Sequence, residues 1–394
     1  MKGDLLLTFN TGSSTVKVGL FEMRAGGPAG LARGTIDFRA DPLTFRLTEG
    51  GEDRTLPLKA KGEEALAEVL AETFDLLGAD FDLARLTAAG HRVVHGGDRF
   101  AGPVRLDDDA IAAIDALTEM APLHQPQSLR LIRAMRAIHG ELAQTASFDT
   151  AFHRTESDLV RRFAIPRHLH DAGIKRYGFH GLSYKYIAGE LARREPALAA
   201  GKIVVLHLGS GASICGMEGG ESRDTSMGFS TLDGIPMATR TGALDPGVIM
   251  HLLGQGRYPL ADVEDLLYHR SGLLGVSGIS ADTRDLLASD RAEAKEALDL
   301  FALRIAGEVA RIAATLGGLD ALVFTAGIGE HQPEVRAMVA ARLAWLGLAL
   351  DPAANAANAP RISGAGSRIA GLVIPTDEEQ VIADEAASVL DFTT

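Results

Sequence analysis

A strand that breaks into a turn of glycine and serine occurs twice in this chain, and this repeat constrains the fold more than any other feature. The two copies are LLLTFNTGSSTVK at 5–17 and IVVLHLGSGAS at 203–213. Each apolar run is typical of a buried strand, and in each turn the backbone N–H groups can face a phosphate with no bulky side chain in the way. Because Gly and Ser are also common in ordinary turns, two unrelated β-hairpins are the alternative. The repeat predicts two similar domains that face one polyphosphate.

The bulk composition excludes several classes of protein. The chain has 394 residues, of which 46% are hydrophobic and 23% charged. This length and composition predict an ordinary globular protein of two or three domains. A formal net charge of −13 argues against binding to nucleic acid or to an anionic membrane. The lone cysteine, Cys215, precludes an intramolecular disulfide, and its apolar surroundings predict a buried structural thiol. We see no secretory signal and no window of ~20 apolar residues, and therefore expect a cytoplasmic protein.

Residue spacing predicts the same order of elements in both halves of the chain. Strand spacing over 33–58 and helical spacing over 63–77 predict a β-meander that leads into a helix. The other predicted elements are strands at 93–94, 204–208, 214–217 and 322–324 and helices at 107–120, 129–138, 293–314 and 376–390. A meander followed by βα units in each half predicts a two-domain α/β protein with a boundary near residue 150 and a cleft between the domains.

A series of motifs spread over nearly the whole chain resembles the acetate kinase family, within the acetate and sugar kinase/Hsp70/actin superfamily. The motifs are Asn10–Lys17, Gly90–Gly97, Ala121–His124, Phe148–His153, Arg176–Gly181, His207–Ser213, Asp224–Phe229, Thr239–Gly242, Ser280–Asp285, Phe324–Glu330 and Ile374–Glu379. The resemblance implies two similar actin-like (ribonuclease H-like) βββαβαβα domains that flank an active-site cleft. The N-terminal domain would span 1–150, with a C-terminal helix at 379–394 packed back on it, and the nucleotide-binding domain would span 151–378.

The resemblance also implies an activity. The family transfers the γ-phosphoryl group of ATP reversibly to acetate by direct in-line transfer, which gives acetyl phosphate and ADP, and it uses Mg²⁺ (or Mn²⁺). Acetate or acetyl phosphate and ATP or ADP would be the small-molecule partners, and the chain would form a homodimer through its second domain. Two alternatives stay open: a propionate kinase or a member with another phosphoryl donor, and a nucleotide-binding regulator that has lost the chemistry.

Two arginines and one histidine match the residues that would act on the transferring group. By resemblance, Arg92 binds the acetate carboxylate, Arg240 binds the phosphoryl group, and His180 donates a hydrogen bond to an equatorial phosphoryl oxygen. Guanidinium groups suit this task because they meet carboxylate or phosphate with two parallel hydrogen bonds and keep their charge. For Arg92 a buried structural ion pair is the alternative, and His124 is a further candidate for a supporting role.

Asp149 matches the active-site acid of the family, and we interpret it as an orienting group. A free carboxylic acid has a pKa near 4, roughly that of an aspartate side chain. At pH 7 the acetate nucleophile is already ionised, so a general base would have almost no proton to remove. Asp149 is therefore predicted to orient an arginine or the hydrated metal, with a helix N-cap as the structural alternative.

The remaining matches concern the metal, the nucleotide and the acid pocket. Asn10 and Glu378 would be associated with the metal, with the neighbouring Glu379 as the alternative to Glu378, and Lys17 would neutralise phosphate charge. The residues predicted to contact the nucleotide are His207, Leu208, Gly209, Ser210 and Gly211 at the phosphates, Asp282, Thr283 and Arg284 at the nucleoside, and Gly327, Ile328, Gly329, Glu330 and His331 as an adenosine turn. The small pocket for the acid would be lined by Val94, Leu123, Phe179 and Pro236.

Several positions depart from the pattern of the family. Ser210 and His331 stand where Asn is usual, and both belong to the predicted nucleotide side, so the donor could differ from ATP. Ala243 replaces a common acidic residue, and Gly181-Leu182-Ser183-Tyr184 stands where Gly-Thr-Ser-His is usual. The predicted acid-binding and catalytic positions are intact.

Overall fold

A computed structural model describes residues 3–12, 15–60, 66–390 and 392 of the chain. Ser13 and Ser14, in the first predicted phosphate turn, lie outside the described residues, as does the beginning of the helix predicted at 63–77. In the described part of the chain, no helix has the length and apolar character needed to cross a bilayer. The chain divides into two compact units, one formed by Met1–Phe152 with Asp377–Thr394 and the other by His153–Thr376.

The strands fall into two sheets, one in each unit. The strands of the first unit are β1 (Leu5–Thr11), β2 (Thr15–Arg24), β3 (Gly27–Asp37), β4 (Thr44–Glu49), β5 (Glu52–Pro57), β6 (Leu86–Val93), β7 (Val104–Arg105) and β8 (Ala143–Phe148). Those of the second are β9 (Lys202–Leu208), β10 (Ala212–Glu218), β11 (Glu221–Thr225), β12 (Ala321–Thr325) and β13 (Ala370–Val373). The strand orders among the described residues are β5-β4-β3-β2-β1-β6-β8-β7 and β11-β10-β9-β12-β13. The meander strands pair antiparallel, whereas β1, β6 and β8, and likewise β9, β12 and β13, pair parallel.

The helices follow the strands in chain order. They are α1 (Leu66–Gly78), α2 (Asp108–Asp115), α3 (Gln125–Ile138), α4 (Asp158–Arg161), α5 (Arg167–Asp171), α6 (Gly181–Arg194), α7 (Pro196–Ala199), α8 (Pro246–Leu253), α9 (Leu260–His269), α10 (Gly272–Ser277), α11 (Thr283–Leu287), α12 (Ala292–Leu316), α13 (Ala326–His331), α14 (Pro333–Arg342), α15 (Pro352–Ala356) and α16 (Glu378–Val389). Short 3₁₀ turns lie at Leu83–Arg85, Thr118–Met120, Asp149–Thr155, Gly254–Gly256 and Ala344–Leu346. The helix predicted at 107–120 is therefore interrupted after α2, and α3 begins four residues before the predicted start at 129, with Pro126 in its first turn.

Strand β1 is buried on both of its faces, which explains its unbroken apolar run. Leu5 and Leu7 pack in the core that α1 and α3 cover, whereas Leu6 packs on the opposite face with Ala383 and Ala386 of α16. Helix α16 thus returns the end of the chain to β1 and β6. Gly90 on β6 allows this approach, since a Cβ there would lie 2.7 Å from Ile382 Cγ2.

Helix α12 covers the sheet of the second unit with the stripe that the sequence predicts. Leu298, Phe301, Ile305, Val309 and Ile312 are all buried, and the helix packs against β9, β10 and β11. The strands predicted at 204–208, 214–217 and 322–324 lie within β9, β10 and β12, and these predictions are confirmed. The buried-thiol prediction is also confirmed, since Cys215 is fully buried and this burial raises the pKa of its thiol.

Candidate active site

Asn10, at the end of β1, joins both acidic residues that open α16. Its amide Nδ2 donates to Glu378 Oε2 at 2.8 Å and to Glu379 Oε1 at 2.9 Å. Because α16 packs on β1, side chains from opposite ends of the sequence meet here. The sequence left the choice between the two glutamates open, and the structure brings both of them to Asn10. Lys17, which pairs with Asn10 across β1 and β2, has its Nζ 3.9 Å from Glu379 Oε1.

Arg92 and Asp149 form a buried ion pair next to Asn10. Arg92 lies on β6, and Asp149 follows directly after β8, the parallel neighbour of β6. The guanidinium donates to Asp149 Oδ2 from Nη2 at 2.6 Å and from Nε at 3.1 Å, and from Nη1 to Asn10 Oδ1 at 2.9 Å. Burial by itself lowers the pKa of Arg92, but the charges of Asp149 and Glu378 outweigh it and raise that pKa above its usual range. We call Asn10, Arg92, Asp149, Glu378 and Glu379 the Asn10 cluster.

The Asn10 cluster fits a hydrated divalent cation better than a fully dehydrated one. Within the described ranges, no group of three or more His, Cys, Asp or Glu side chains could enclose a metal ion. The amide oxygen of Asn10 accepts from Arg92, and its N–H₂ group faces the two glutamates. The carboxylates of Glu378 and Glu379, which also accept from Asn10, would thus be the protein ligands. Mg²⁺ commonly keeps several waters and uses one or two carboxylates, so the donor set matches that cation.

The residues predicted for the acid pocket in the first unit lie in two places. Val94 is buried directly after β6, one position beyond Val93 and two beyond Arg92. Leu123 is partly buried in the turn before α3, and His124 is the N-cap residue of that helix.

In the second unit, His180 occupies a strained position at the start of α6. Its backbone is left-handed, with φ 58°, a conformation that costs a residue with a side chain about 1–2 kcal/mol. The ring Nδ1 lies 2.8 Å from Ser213 Oγ, and the ring stacks on His207 with a centroid separation of 4.3 Å. His207 is held in the same manner, with Nδ1 2.8 Å from Ser183 Oγ. Both rings are therefore fixed through Nδ1.

The Gly209–Gly211 turn lies beside both of these rings. It joins β9 to β10, and Gly209 N–H donates to Gly211 O at 3.2 Å. A Cβ on Gly211 would lie 3.5 Å from His180 Nε2 and 4.0 Å from Arg240 Nη1, and one on Gly209 would lie 4.0 Å from His207 Nε2. The two histidines and the arginine thus converge on the space that these glycines leave open, as expected for a phosphate site.

Arg240 is a partly buried cation that makes no ion pair with any residue that the structure describes. Its Nη1 donates to the backbone oxygen of Thr231 at 3.1 Å and contacts Met237 Sδ at 3.7 Å. Burial lowers the pKa of Arg240 from its usual value. An uncompensated charge away from water is costly, and an anionic ligand would remove that cost. Arg92 differs in this respect because it already has carboxylate partners.

His153 holds the segment that leads into His180. Its Nε2 donates to the backbone oxygen of the buried Phe179 at 3.0 Å. Gly178 is left-handed at φ 77°, and a Cβ there would come within 2.5 Å of His153 Cδ2, so only glycine fits. Pro236 is partly buried in the loop that also carries Arg240.

The predicted nucleoside residues 282–284 form a local structure of their own. Asp282 caps α11 by accepting from Arg284 N–H at 2.8 Å, and its carboxylate also pairs with the exposed Arg284 guanidinium. The hydrogen bond from the Arg284 guanidinium, more than the one from its backbone N–H, lowers the pKa of Asp282. Thr283 is buried, and its Oγ1 has no hydrogen-bond partner among the described residues.

The predicted adenosine turn 327–331 is a helix in the structure, which corrects its secondary structure. The residue with a left-handed backbone is Ala326 (φ 63°), one position before the predicted turn and the first residue of α13. Glu330 Oε1 stabilises this corner by accepting from Ala326 N–H at 2.8 Å and Thr376 N–H at 3.2 Å. His331, at the end of α13, is exposed.

Arg336 anchors the other end of α13. Its guanidinium is fully buried and donates to the backbone oxygens of Gly329 and Glu330 at 2.9 and 3.0 Å, and to Asn355 and Asn358. Arg336 was not among the site residues predicted from the sequence, and Ser213, Ser183 and Tyr184 were not assigned a role. Their signal was their position, because each lies within or beside one of the recognised motifs.

Comparisons with known proteins identify the family of the chain. The family model described as the acetokinase family matches residues 5–384. The chain is 46% identical to an acetate kinase from Rhodopseudomonas palustris (strain TIE-1), over 96% of this chain and 97% of the relative. It is 44% identical to an acetate kinase from Nitrobacter hamburgensis (strain DSM 10229 / NCIMB 13809 / X14), over 98% and 96% of the two chains.

Two solved structures share its fold, with both chains covered almost completely. A propionate kinase from Francisella tularensis subsp. tularensis SCHU S4 has a TM-score of 0.91 at 33% identity and covers 98% of this chain and 100% of its own. Porphyromonas gingivalis acetate kinase has a TM-score of 0.87 at 32% identity and covers 99% of this chain and 100% of its own. The predicted α/β fold class is thereby confirmed, and the chain belongs to the acetokinase family.

Proposed function

We propose that this chain is an acetate kinase that transfers the γ-phosphoryl group of ATP to acetate, reversibly and with a divalent cation. A carboxylate oxygen of acetate forms the new bond to the γ-phosphorus, and the bond from that phosphorus to the β-phosphate oxygen breaks. The products are acetyl phosphate and ADP, and no proton has to be removed because acetate is ionised at pH 7. The observation that carries the proposal is the partly buried Arg240, which has no acidic partner among the described residues and lies with His180 Nε2 beside Gly211.

In the second unit, contacts support a role for Arg240, for His180 and for the Gly209–Gly211 turn. Arg240 neutralises charge on the phosphoryl group, and His180 donates from Nε2 to one of its oxygens. Such preorganised groups commonly contribute a factor of about 10²–10³ each. The Gly209–Gly211 turn leaves room for the phosphates, because no side chain at Gly211 fills the space beside His180 and Arg240.

In the Asn10 cluster, Arg92 binds the acetate carboxylate and Asp149 orients Arg92. Asp149 accepts from Nε and Nη2 of Arg92, which directs the guanidinium and fixes its plane. Glu378 and Glu379 would hold a hydrated Mg²⁺ (or Mn²⁺), which neutralises phosphate charge when bound. We also propose a cytoplasmic location for this enzyme, where ATP and acetate are both available to it.

A panel of kcat/KM values tests this function. Acetate, propionate and butyrate are each supplied with ATP, GTP or pyrophosphate as donor. Acetate with ATP is expected to give the highest value. Propionate is the main competitor, since a Francisella propionate kinase shares the fold and one methylene changes binding by only about 1–3 kcal/mol. A higher kcat/KM for propionate, or for a donor other than ATP, would replace the proposed substrate.

We also propose a homodimer whose contact includes α8. This helix has the sequence PGVIMHLL, yet none of its residues is buried within the chain. Met250 is 68% exposed and Leu260, at the start of α9, is 69% exposed. An apolar helix left partly uncovered in this way marks an interaction surface, and the family resemblance favours a second copy of the chain as the partner.

Light scattering after size-exclusion chromatography tests the homodimer. The parent chain is expected to have twice its 41.6 kDa mass, and Met250→Glu is expected to shift that mass towards the monomer, since the new carboxylate would be buried at the interface. Trp345→Glu is the matched control because Trp345 is 71% exposed but lies outside α8 and α9. A monomeric parent at micromolar concentration, or a Met250→Glu dimer as tight as the control, would contradict the proposal.

A further inference from the structure

Tyr184 is a departure from the family pattern that hydrogen bonds link to a proposed catalytic group. It is fully buried on α6, and its hydroxyl makes a short hydrogen bond to Ser213 Oγ. The same Ser213 Oγ lies 2.8 Å from His180 Nδ1. A continuous chain of hydrogen bonds therefore runs from the Tyr184 hydroxyl through Ser213 to the His180 ring.

We propose that Tyr184 and Ser213 are positioning residues that hold neutral His180 in the tautomer with its proton on Nε2. The inference rests on the proposed function, in which His180 Nε2 donates to the phosphoryl group. Tyr184 and Ser213 act through His180, and neither has to touch the substrate.

The direction of the hydrogen bonds follows from counting protons. The Ser213 hydroxyl has one proton and two partners, so it donates to one of them and accepts from the other. A phenol, with a pKa of about 10, is a stronger acid and a better donor than an aliphatic hydroxyl, so Tyr184 donates to Ser213. Ser213 then donates to His180 Nδ1, which must carry a lone pair. In a neutral imidazole the proton is then on Nε2.

This tautomer matters for the proposed reaction because Nε2 faces the proposed phosphate site. His180 Nε2 lies 3.5 Å from the point where a Cβ of Gly211 would be, and Arg240 Nη1 lies 4.0 Å from the same point. A phosphoryl oxygen in that space needs a donor, and the opposite tautomer would offer it a lone pair. The ring has little freedom to turn, because it stacks on His207 with an interplanar angle of 14°, while Tyr184 meets His207 edge-on.

We call the chain of hydrogen bonds from Tyr184 through Ser213 to His180 the relay. Removing single hydroxyl groups tests it. Tyr184→Phe removes the phenolic donor and Ser213→Ala removes the link itself. Each is expected to lower kcat about five- to tenfold, the worth of one hydrogen bond of ~1 kcal/mol, and to leave the KM values for ATP and acetate within about twofold of the parent. Tyr177→Phe is the matched control, because Tyr177 is also buried but donates to Gly173 O instead; its kcat should not change.

The position of the proton is read directly by long-range ¹H–¹⁵N NMR on ligand-free protein with ¹⁵N-labelled histidine, with the His180 signals assigned from a His180→Gln variant. In the parent and in Tyr177→Phe, Nε2 should carry the proton. In Ser213→Ala and Tyr184→Phe, the signals should move towards a mixture of the two tautomers. A proton on Nδ1 in the parent, or an unchanged tautomer with unchanged kcat in both relay variants, would overturn the inference. Since this spectrum needs no turnover, it remains decisive even if acetate proves not to be the substrate.

Discussion

Replacing Arg240 by alanine is expected to lower kcat by at least about a hundredfold, and we expect no loss of fold stability. The proposed transition state spreads charge over the phosphoryl oxygens, and removing one such stabilising group commonly costs about 10²–10³ in rate. The guanidinium makes no ion pair with the described residues, and burial lowers its pKa. Its removal therefore eliminates a cost in the free protein, and the free energy of unfolding should stay equal or rise.

Steady-state kinetics and urea unfolding on the same preparations check both parts of this prediction. Arg240→Lys keeps the charge but loses the planar pair of donors, so its kcat should lie between those of the parent and the alanine variant. Arg342→Ala is the control, since Arg342 lies in the same unit and pairs with Asp299 at the surface. Near-parental turnover of Arg240→Ala would remove Arg240 from the mechanism.

Replacing Asp149 by asparagine should lower kcat strongly and raise the concentration of divalent cation needed for half-maximal activity. Asparagine keeps one oxygen acceptor, but it turns an N–H₂ group towards the donors of Arg92 and removes the charge that pairs with them. Loss of one partner in a buried ion pair also destabilises the fold, here by about 3 kcal/mol. Asp115→Asn is the control because Asp115 pairs with Arg133 at the surface of the same unit.

The same variant separates an orienting role for Asp149 from a general base. A general base would produce an acid limb in the pH–rate profile that vanishes in Asp149→Asn. Without Asp149, Arg92 is left with Glu378, whose Oε2 lies 3.9 Å from Nη1, and competes with the metal for this proposed ligand. An orienting role therefore predicts a changed metal dependence, and any acid limb that belongs to another group should persist. Loss of the acid limb with an unchanged metal dependence would restore the general base and refute the orienting role.

Regular secondary structure was predictable where one periodic pattern determined burial. The apolar stripe of α12 and the apolar run of β9 are stable only when buried. Both elements lie at the positions that the spacing of their apolar residues predicted. Helix α8 offered no such pattern because none of its residues is buried within the chain. The turn predicted at 327–331 was wrong because the positive φ lies at Ala326, whereas a sequence pattern assigns such a φ to glycine.

The candidate site was predictable as a set of residues but not as a network. Motifs named Asn10, but its contacts with Glu378 and Glu379 depend on α16 returning to β1. In the same way, nothing local in the sequence joins His180 to Ser213, 33 residues away, or Ser213 to Tyr184, 29 residues away. Such links arise from the tertiary packing of α6 against the second sheet, and single-sequence periodicity carries no information about them.

The most direct test of the proposed phosphoryl transfer is ³¹P NMR of a mixture of ATP, acetate, Mg²⁺ and the purified chain. Acetyl phosphate and ADP should appear together in equal amounts, and with Arg240→Ala both should form at least about a hundredfold more slowly. Formation of ADP with inorganic phosphate and no acetyl phosphate, or equal product formation by the parent and the Arg240→Ala variant, would contradict the proposed function and the role of Arg240 in it.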